Sequence, residues 1–398
     1  MASIDHTSHA ARQGPVCHAT SPVAAFCGRC GAEPSAPVSP WRSLLRPRVY
    51  ATAHREPVWI PRLGSTYLPR LPGPALGPFR AALFVVLILI VGFAVLRVNG
   101  PLGVTATIGW PLVFLIYVWQ SDGFRDIPLR ILAVAMVIGV ACGVGWWLVT
   151  GKLLARSYGI STGSGLMLTR VLDIGIVIPL GGALLMLLPA VITRQMRMPV
   201  RESLDGFVIG TFGALWYQTA ATTTVLAPQF VEGLIEEHTV GRMLQDSITY
   251  GVVYPIVTAA AGGLVGLTLW FRPDPHAEGR GPVGARAALI VCSVLAFVIY
   301  LAVWGVWSTN VPRAVDIVVK LILGVLALLV TRCAIQIALL NEERDPATGE
   351  PLLCVHCDRV VPDVPFCPAC GAAARASSRT SRQFRREHAP VPQSTDAA

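Results

Sequence analysis

The chain has 398 residues, of which 53% are hydrophobic and only 14% charged, with a mean hydropathy of +0.58 and a formal net charge of +9. An average soluble domain is about 25% charged, and here the apolar residues run in blocks of roughly 16 to 25, too long and continuous for amphipathic core helices. A large soluble catalytic domain is excluded, and an all-α polytopic membrane protein is expected.

Residues 1–40 contain Cys17 and, after nine intervening residues, Cys27-Gly-Arg-Cys30-Gly31. Three thiols at that spacing suit a metal if a histidine, His18 or His9, completes the set. The other reading is a decayed site or an arm of reactive thiols. Residues 41–80 form a juxtamembrane linker rich in Pro and Arg. The first eighty residues together hold twelve prolines and nine arginines against three acids, with no apolar core of a cleavable signal peptide. Trp41, Tyr50, Trp59 and Tyr67 lie among them. The segment either rests on an anionic leaflet, at roughly 1 kcal/mol per basic residue, or is a disordered linker.

A transmembrane bundle is expected over residues 81–340. Its apolar blocks place about eight spans, near Ala81 to Leu96, Val104 to Trp119, Leu129 to Val149, Ile174 to Thr193, Phe207 to Ala227, Ile248 to Phe271, Ala287 to Trp307 and Ala314 to Val330. Pro111 and Lys320 interrupt the second and last blocks, which leaves tilted, kinked or re-entrant segments open there, and seven spans in all. An even number puts both termini on one side. Arg125, Arg130, Arg194, Arg197, Arg201, Arg272, Arg280 and Arg286 fall in alternate loops, on the side of the basic arm. By the positive-inside rule both tails are cytoplasmic, in a cell membrane of bacterial inner-membrane type.

Reduced cytosolic thiols in pairs are metal ligands more often than disulfides. Over residues 350–373 the chain reads Cys354-Val-His-Cys357, nine residues, then Cys367-Pro-Ala-Cys370-Gly371. Each pair places two thiolates on one knuckle turn, the trailing Gly supplies left-handed backbone, and two facing knuckles make a tetrahedral four-thiolate site. The pattern resembles a zinc ribbon, and Zn2+ is expected at Cys354, Cys357, Cys367 and Cys370; iron in a rubredoxin-like site is the alternative. His356 is a possible substitute ligand, set against a solvent-facing knuckle side chain. The N-terminal cluster superposes on this ribbon, with Phe26 matching Phe366 and Gly14 standing where the counterpart of Cys354 belongs. A second, weaker zinc site at Cys17, His18, Cys27 and Cys30 follows. The two ribbons either pair with each other or form an interaction platform for a protein partner. Residues 374–398, with Arg375, Arg379, Arg382, Arg385 and Arg386, read as a basic disordered tail rather than a nucleic-acid or lipid site.

Inside the spans ionisable residues are few, and these are the usual mark of function in a membrane. Asp173, Asp205 and Asp316 sit at span ends, and Lys320 is placed to snorkel or to pair with Asp316 at i, i+4. Tyr217, Gln218, Thr219, Thr222, Thr223 and Thr224 form a polar run in the fifth span, read as helix packing before permeation. Gly139, Gly143, Gly145, Gly262, Gly263 and Gly266 read as close-packing faces.

The segment from Arg201 through Asp205-Gly206-Phe207-Val208-Ile209-Gly210 resembles the D-G-x-V-Y-G segment of the PrsW-type intramembrane proteases of the glutamic, CPBP-related superfamily. Tyr254-Pro255-Ile256-Val257-Thr258-Ala259 is similar to that family's H-P-x-x-T segment. The resemblance covers roughly residues 170–272. It implies a Glu-Glu pair where this chain has Gly181 to Leu185, a Glu-Asn near Ala221-Thr222 and a His at Tyr254, so the base and metal ligands that hydrolysis needs are absent from those places. Glu232, Glu236, Glu237 and His238 follow the fifth span and read first as a solvated interfacial face.

The combined expectation is a non-catalytic membrane scaffold or regulator, a PrsW-like pseudoprotease without catalytic residues, whose zinc-binding tails dock a partner. The alternatives are an active intramembrane protease with an atypical acid set, using Asp205 or Glu236 and Glu237, and a transporter or channel lined by the threonines of the fifth span.

Overall fold

The computed structural model describes residues 11–13, 20–28, 76–158 apart from Asp122, 177–196, 201–232, 240–273, 282–307, 312–343 and, with short gaps, 351–387. Two small hairpins flank a helical bundle in sequence. The first pairs β1 (Ala11–Gln13) with β2 (Thr20–Pro22), and the second pairs β3 (Leu352–Leu353) with β4 (Val360–Val361), both antiparallel. Between them come α1 (Leu76–Val95), α2 (Asn99–Gln120), the short α3 (Gly123–Asp126), α4 (Leu129–Tyr158), α5 (Ile178–Thr193) and α6 (Ser203–Glu232). After these, α7 (Val240–Ile248) passes through a π turn at Thr249–Val253 into α8 (Tyr254–Trp270), and α9 (Pro282–Trp307) and α10 (Arg313–Asn341) complete the bundle. A last helix, α11 (Arg379–Glu387), follows the second hairpin.

Long apolar segments become helices because lipid offers backbone groups no other partner. Among the described residues, six helices are long and apolar enough to cross a membrane: Gly77–Val95, Gly100–Gln120, Leu129–Thr150, Gly241–Trp270, Val283–Val306 and Arg313–Leu339. Their outer faces expose Phe84, Ile88, Val137, Val294 and Val325, surface that suits hydrocarbon and not water. The other two expected spans differ from their sequence reading. Helix α5 has 16 residues in its described part, while α6 has 30 but is rich in Thr and Gly. Pro111 lies inside α2, which continues through it.

The polarity of α6 follows from its place. From Ser203 to Thr222 every residue except Trp216 is buried, so this helix is the axis of the bundle and meets protein, not lipid. Gly206 and Gly210 oppose Gly262 and Gly266 of α8 so closely that a Cβ on Gly210 would fall on the Gly262 carbonyl, and one on Gly266 on the Gly206 carbonyl. On another side of α6, Gly139 and Gly143 of α4 press against the backbone at Gly213 and Tyr217. Small residues permit this backbone approach, the main source of helix affinity where no hydrophobic driving force acts.

Helices alternate in direction between two ends. At one end the starts of α6 and α9 meet the ends of α5, α8 and α10. There Arg194 Nε donates to the Leu269 carbonyl at 3.0 Å, and the Glu343 amide donates to the Arg272 carbonyl at 2.9 Å. Phe366 and Ala373 of the C-terminal segment share one apolar core with Leu204, Phe207, Phe271, Ala338 and Leu339 at this same end.

Pro255 explains the π turn. It has no N–H to give the Gly251 carbonyl four residues earlier, and that carbonyl instead accepts from Trp110 Nε1 of α2 at 2.6 Å. A wide turn ahead of a proline, satisfied by a side chain from another helix, keeps the buried backbone paired.

Candidate metal centre and its anchorage

Each knuckle of the C-terminal module is built by local hydrogen bonds. The Cys354 amide donates to the Arg359 carbonyl at 2.9 Å, closing the first turn at the tip of the β3–β4 hairpin. In the second, the Cys367 amide donates to the Ala372 carbonyl at 2.9 Å and the Gly371 amide to the Cys367 carbonyl at 2.8 Å. Gly371 sits at φ +73°, the left-handed conformation the sequence expects of a trailing glycine.

These turns bring Cys354, Cys357, Cys367 and Cys370 together, with all four Sγ atoms within 4.8 Å of one another. Cys354 Sγ lies 3.7 Å from Cys370 Sγ, and Cys357 Sγ 3.8 Å from Cys367 Sγ. A metal about 2.3 Å from four tetrahedral sulfurs requires sulfur–sulfur edges of about 3.8 Å, so the cage already fits such an ion. Cys354, Cys367 and Cys370 are buried and Cys357 is half-buried. Hydrogen bonding to the Cys354 thiol pushes Cys367 up to about 11, and Cys354 and then Cys367 push Cys370 up as well. Sulfur binds a metal as thiolate, so metal binding at this cage releases protons. Four protein ligands also close the coordination sphere, which is the form of a structural site and not of a catalytic one. His356 lies outside the described residues.

The N-terminal cluster is described only in part: Cys27 is buried, while His9, Gly14, Cys17, His18 and Cys30 lie outside the described residues. What is described is a copy of the ribbon. Gln13 pairs with Thr20 and Leu353 with Val360, each partner 340 residues from its counterpart, and Arg12 with Ser21 repeats as Leu352 with Val361. The two copies then pair with each other. The Phe26 amide donates to the Pro368 carbonyl at 3.0 Å, and the Phe366 amide donates to the Gly28 carbonyl at 3.0 Å. Because Phe26 matches Phe366 and Gly28 matches Pro368, the two bonds are equivalent under a pseudo-two-fold axis, the isologous geometry of a homodimer within one chain. Of the two uses open to the ribbons in sequence, pairing is observed.

The basic tail is corrected in its middle part. Composition assigns residues 374–398 to a disordered tail, whereas Arg379–Glu387 is the helix α11 with Arg382 buried. Its arginines are spent inside the molecule. Arg382 pairs with Glu202 at the start of α6 at 2.7 Å, Arg386 with Asp363 of the ribbon at 2.6 Å, and Arg385 donates to the Leu353 carbonyl at 3.2 Å. Asp126 of α3 caps α11 by accepting from the Arg379 and Thr380 amides at 3.0 and 3.3 Å. Glu342, at the end of α10, accepts from the Ser203 amide at 2.6 Å and the Ser203 hydroxyl at 2.8 Å, which caps α6. Sequence reasoning passed over Glu202, Asp126 and Glu342; the available signal was the spacing of Arg379, Arg382 and Arg386, three and four apart on one helical face.

In the bundle the polar run does what packing requires. Thr219 Oγ1 donates to the Thr107 carbonyl at 2.8 Å, Gln218 Nε2 to Thr222 Oγ1 at 2.9 Å, and Thr258 Oγ1 to Gln218 Oε1 at 3.4 Å. Asp205 is buried at the start of α6, where its Oδ2 accepts from the Glu202 amide at 3.3 Å. Tyr254 is fully buried beneath Trp304, ring centroids 4.9 Å apart. Lys320 does not snorkel; it is buried and binds Asp316 at 2.9 Å, which also accepts from Gln245 at 2.8 Å. Asp173, Glu236, Glu237 and His238 lie outside the described residues, as does the side chain of Glu232.

Fold and site together define an all-α polytopic membrane protein with a compact cysteine-rich module formed from its two tails. No protein-family model matches the chain, and no curated protein or solved structure resembles it at a significant level.

Proposed function

We propose that the protein is a non-catalytic membrane scaffold or regulator, a pseudoprotease of PrsW-like descent, whose tail module binds zinc at Cys354, Cys357, Cys367 and Cys370 and docks a protein partner. The observation that carries this reading is the use made of the acids at the start of α6. Asp205, the acid in the protease-like Asp-Gly segment, accepts from the Glu202 amide, and Glu202 anchors the C-terminal tail through Arg382. Of these two acids, Glu202 ties the start of α6 to the tail, and Asp205 is engaged by the backbone of its own helix start. Zinc suits a closed four-sulfur cage in a segment too short to fold alone.

In this reading α5 and α6 also cross the bilayer, giving about eight crossings, and pairing of the two ribbons keeps both tails on one face. Arg194, Arg201, Arg272 and Arg286 lie near one another at the ribbon end, which supports a cytoplasmic location for it under the positive-inside rule. A bacterial inner membrane is the corresponding compartment.

The test is reconstitution of the purified chain with labelled single-span peptides, beside crosslinking from native membranes. A scaffold leaves the peptides intact and captures a defined partner that a Cys367→Ser, Cys370→Ser double variant loses. Peptide cleavage abolished by Glu236→Gln or Glu237→Gln would instead establish an active protease.

A further inference from the structure

We propose that the ion of the four-cysteine cage is the keystone of a latch that fixes both tails to the ribbon end of the central helix α6, so that loss of the metal frees both tails from the bundle. This rests on the reading of the cage as a metal site and adds a consequence to it.

Among the described residues, several contacts that leave the ribbon are made by residues close in sequence to a ligand. Leu353, whose carbonyl accepts from Arg385, precedes Cys354. Phe366, whose amide reaches Gly28 and whose ring joins the bundle core, precedes Cys367. Pro368, whose carbonyl holds Phe26, lies between Cys367 and Cys370. Asp363, the partner of Arg386, stands four residues before Cys367. Two strands of two residues each cannot hold these groups in place. With four thiolates on one ion they are fixed; without it the segment has only a small satellite core.

Helix α11 cannot stand alone either. Its nine residues, Arg379 to Glu387, are almost wholly polar and too few for a stable isolated helix. What holds it is the ribbon on one side, through Arg385 and Arg386, and the bundle on the other, through Glu202 and Asp126. Loss of the ion removes the first set of partners and leaves α11 tied to the bundle at Glu202 and Asp126. The Arg382–Glu202 bond then opens at the N-terminus of α6, and Phe366 and Ala373 withdraw from Leu204, Phe207 and Leu339. The N-terminal copy is released in the same event, since its described backbone bonds to the C-terminal copy, at Phe26 and Gly28, end on Pro368 and Phe366 of the Cys367 knuckle.

Hydrogen exchange of the full chain in lipid nanodiscs, with zinc and iron assayed on the same samples, tests the latch. Four samples suffice: wild type as purified, wild type stripped with a strong chelator, Cys367→Ser and Arg382→Ala. In the stripped and Cys367→Ser samples, amides of residues 26–28, 359–374 and 379–387 should exchange at least about tenfold faster, with residues 207–222 unchanged. Arg382→Ala should keep its metal and the protection of 26–28 and 359–374, while 379–387 alone speeds up. Metal loss that leaves 26–28 and 379–387 as protected as before would overturn the latch and spare the metal site. Absence of metal from the wild type, even after zinc addition, would overturn both.

Discussion

The bundle and the tail module both bring backbone segments into close register, but by opposite means. In the bundle Gly206 and Gly210 meet Gly262 and Gly266 because side chains are missing, and the contact is held by the helices' own packing and by hydrogen bonds such as Thr211 Oγ1 to the Ala259 carbonyl. In the ribbon, the side chains of Cys354, Cys357, Cys367 and Cys370 converge, with only a small apolar cluster including Val361 and Ala372 around them. One region is cohesive by itself, and the other has the sulfur cage for a guest ion. Removal of the metal should therefore act on the tails and spare the spans, while substitutions inside the bundle should do the reverse.

The largest expected effect lies in the ribbon. A structural zinc contributes about 10 to 16 kcal/mol to the folding of its segment, so Cys367→Ser should abolish metal binding and unfold residues 352–374. Helical circular dichroism of the bundle should barely change, and limited proteolysis should cut the tail alone. Within the bundle, Lys320→Met should be the most damaging single change, since it leaves Asp316 buried and unpaired at about 3 to 5 kcal/mol. Lys320→Met with Asp316→Leu should recover most of that loss in thermal unfolding, and metal content should not move. Gly210→Val comes next, at about 1 to 3 kcal/mol, because its Cβ meets the Gly262 carbonyl; Gly92, with open space around it, is the control. Trp110→Phe should cost about 1 to 2 kcal/mol by leaving the Gly251 carbonyl without its donor. The smallest effect, roughly 1 kcal/mol, is expected for Gly371→Ala at a positive φ, read as weaker zinc retention under chelator challenge.

Sequence made some of this architecture plain and hid the rest for identifiable reasons. The apolar blocks marked the outer helices because lipid demands continuous hydrophobicity. The same demand does not reach α6, whose Thr and Gln residues satisfy one another inside protein, so its central position was not written in its hydropathy. The four cysteines were legible because metal geometry tolerates few spacings, and the matched N-terminal copy was legible because its surviving cysteines keep the register of the original. Helix α11 was not, because a polar nine-residue segment is helical only through Glu202, Asp126 and Asp363, which lie far away in the chain. The absent N–H of Pro255 announced an orphan carbonyl, but only the fold reveals Trp110 as its donor.

In the proposed reading a metal held by four sulfurs organises the tails. X-ray absorption at the zinc edge of the purified full chain tests it most directly, with metal content measured on the Cys367→Ser variant alongside. Four sulfur neighbours at about 2.3 Å, lost in the variant, are the expected result. A wild-type spectrum dominated by nitrogen or oxygen neighbours, or equal zinc in wild type and variant, would contradict it.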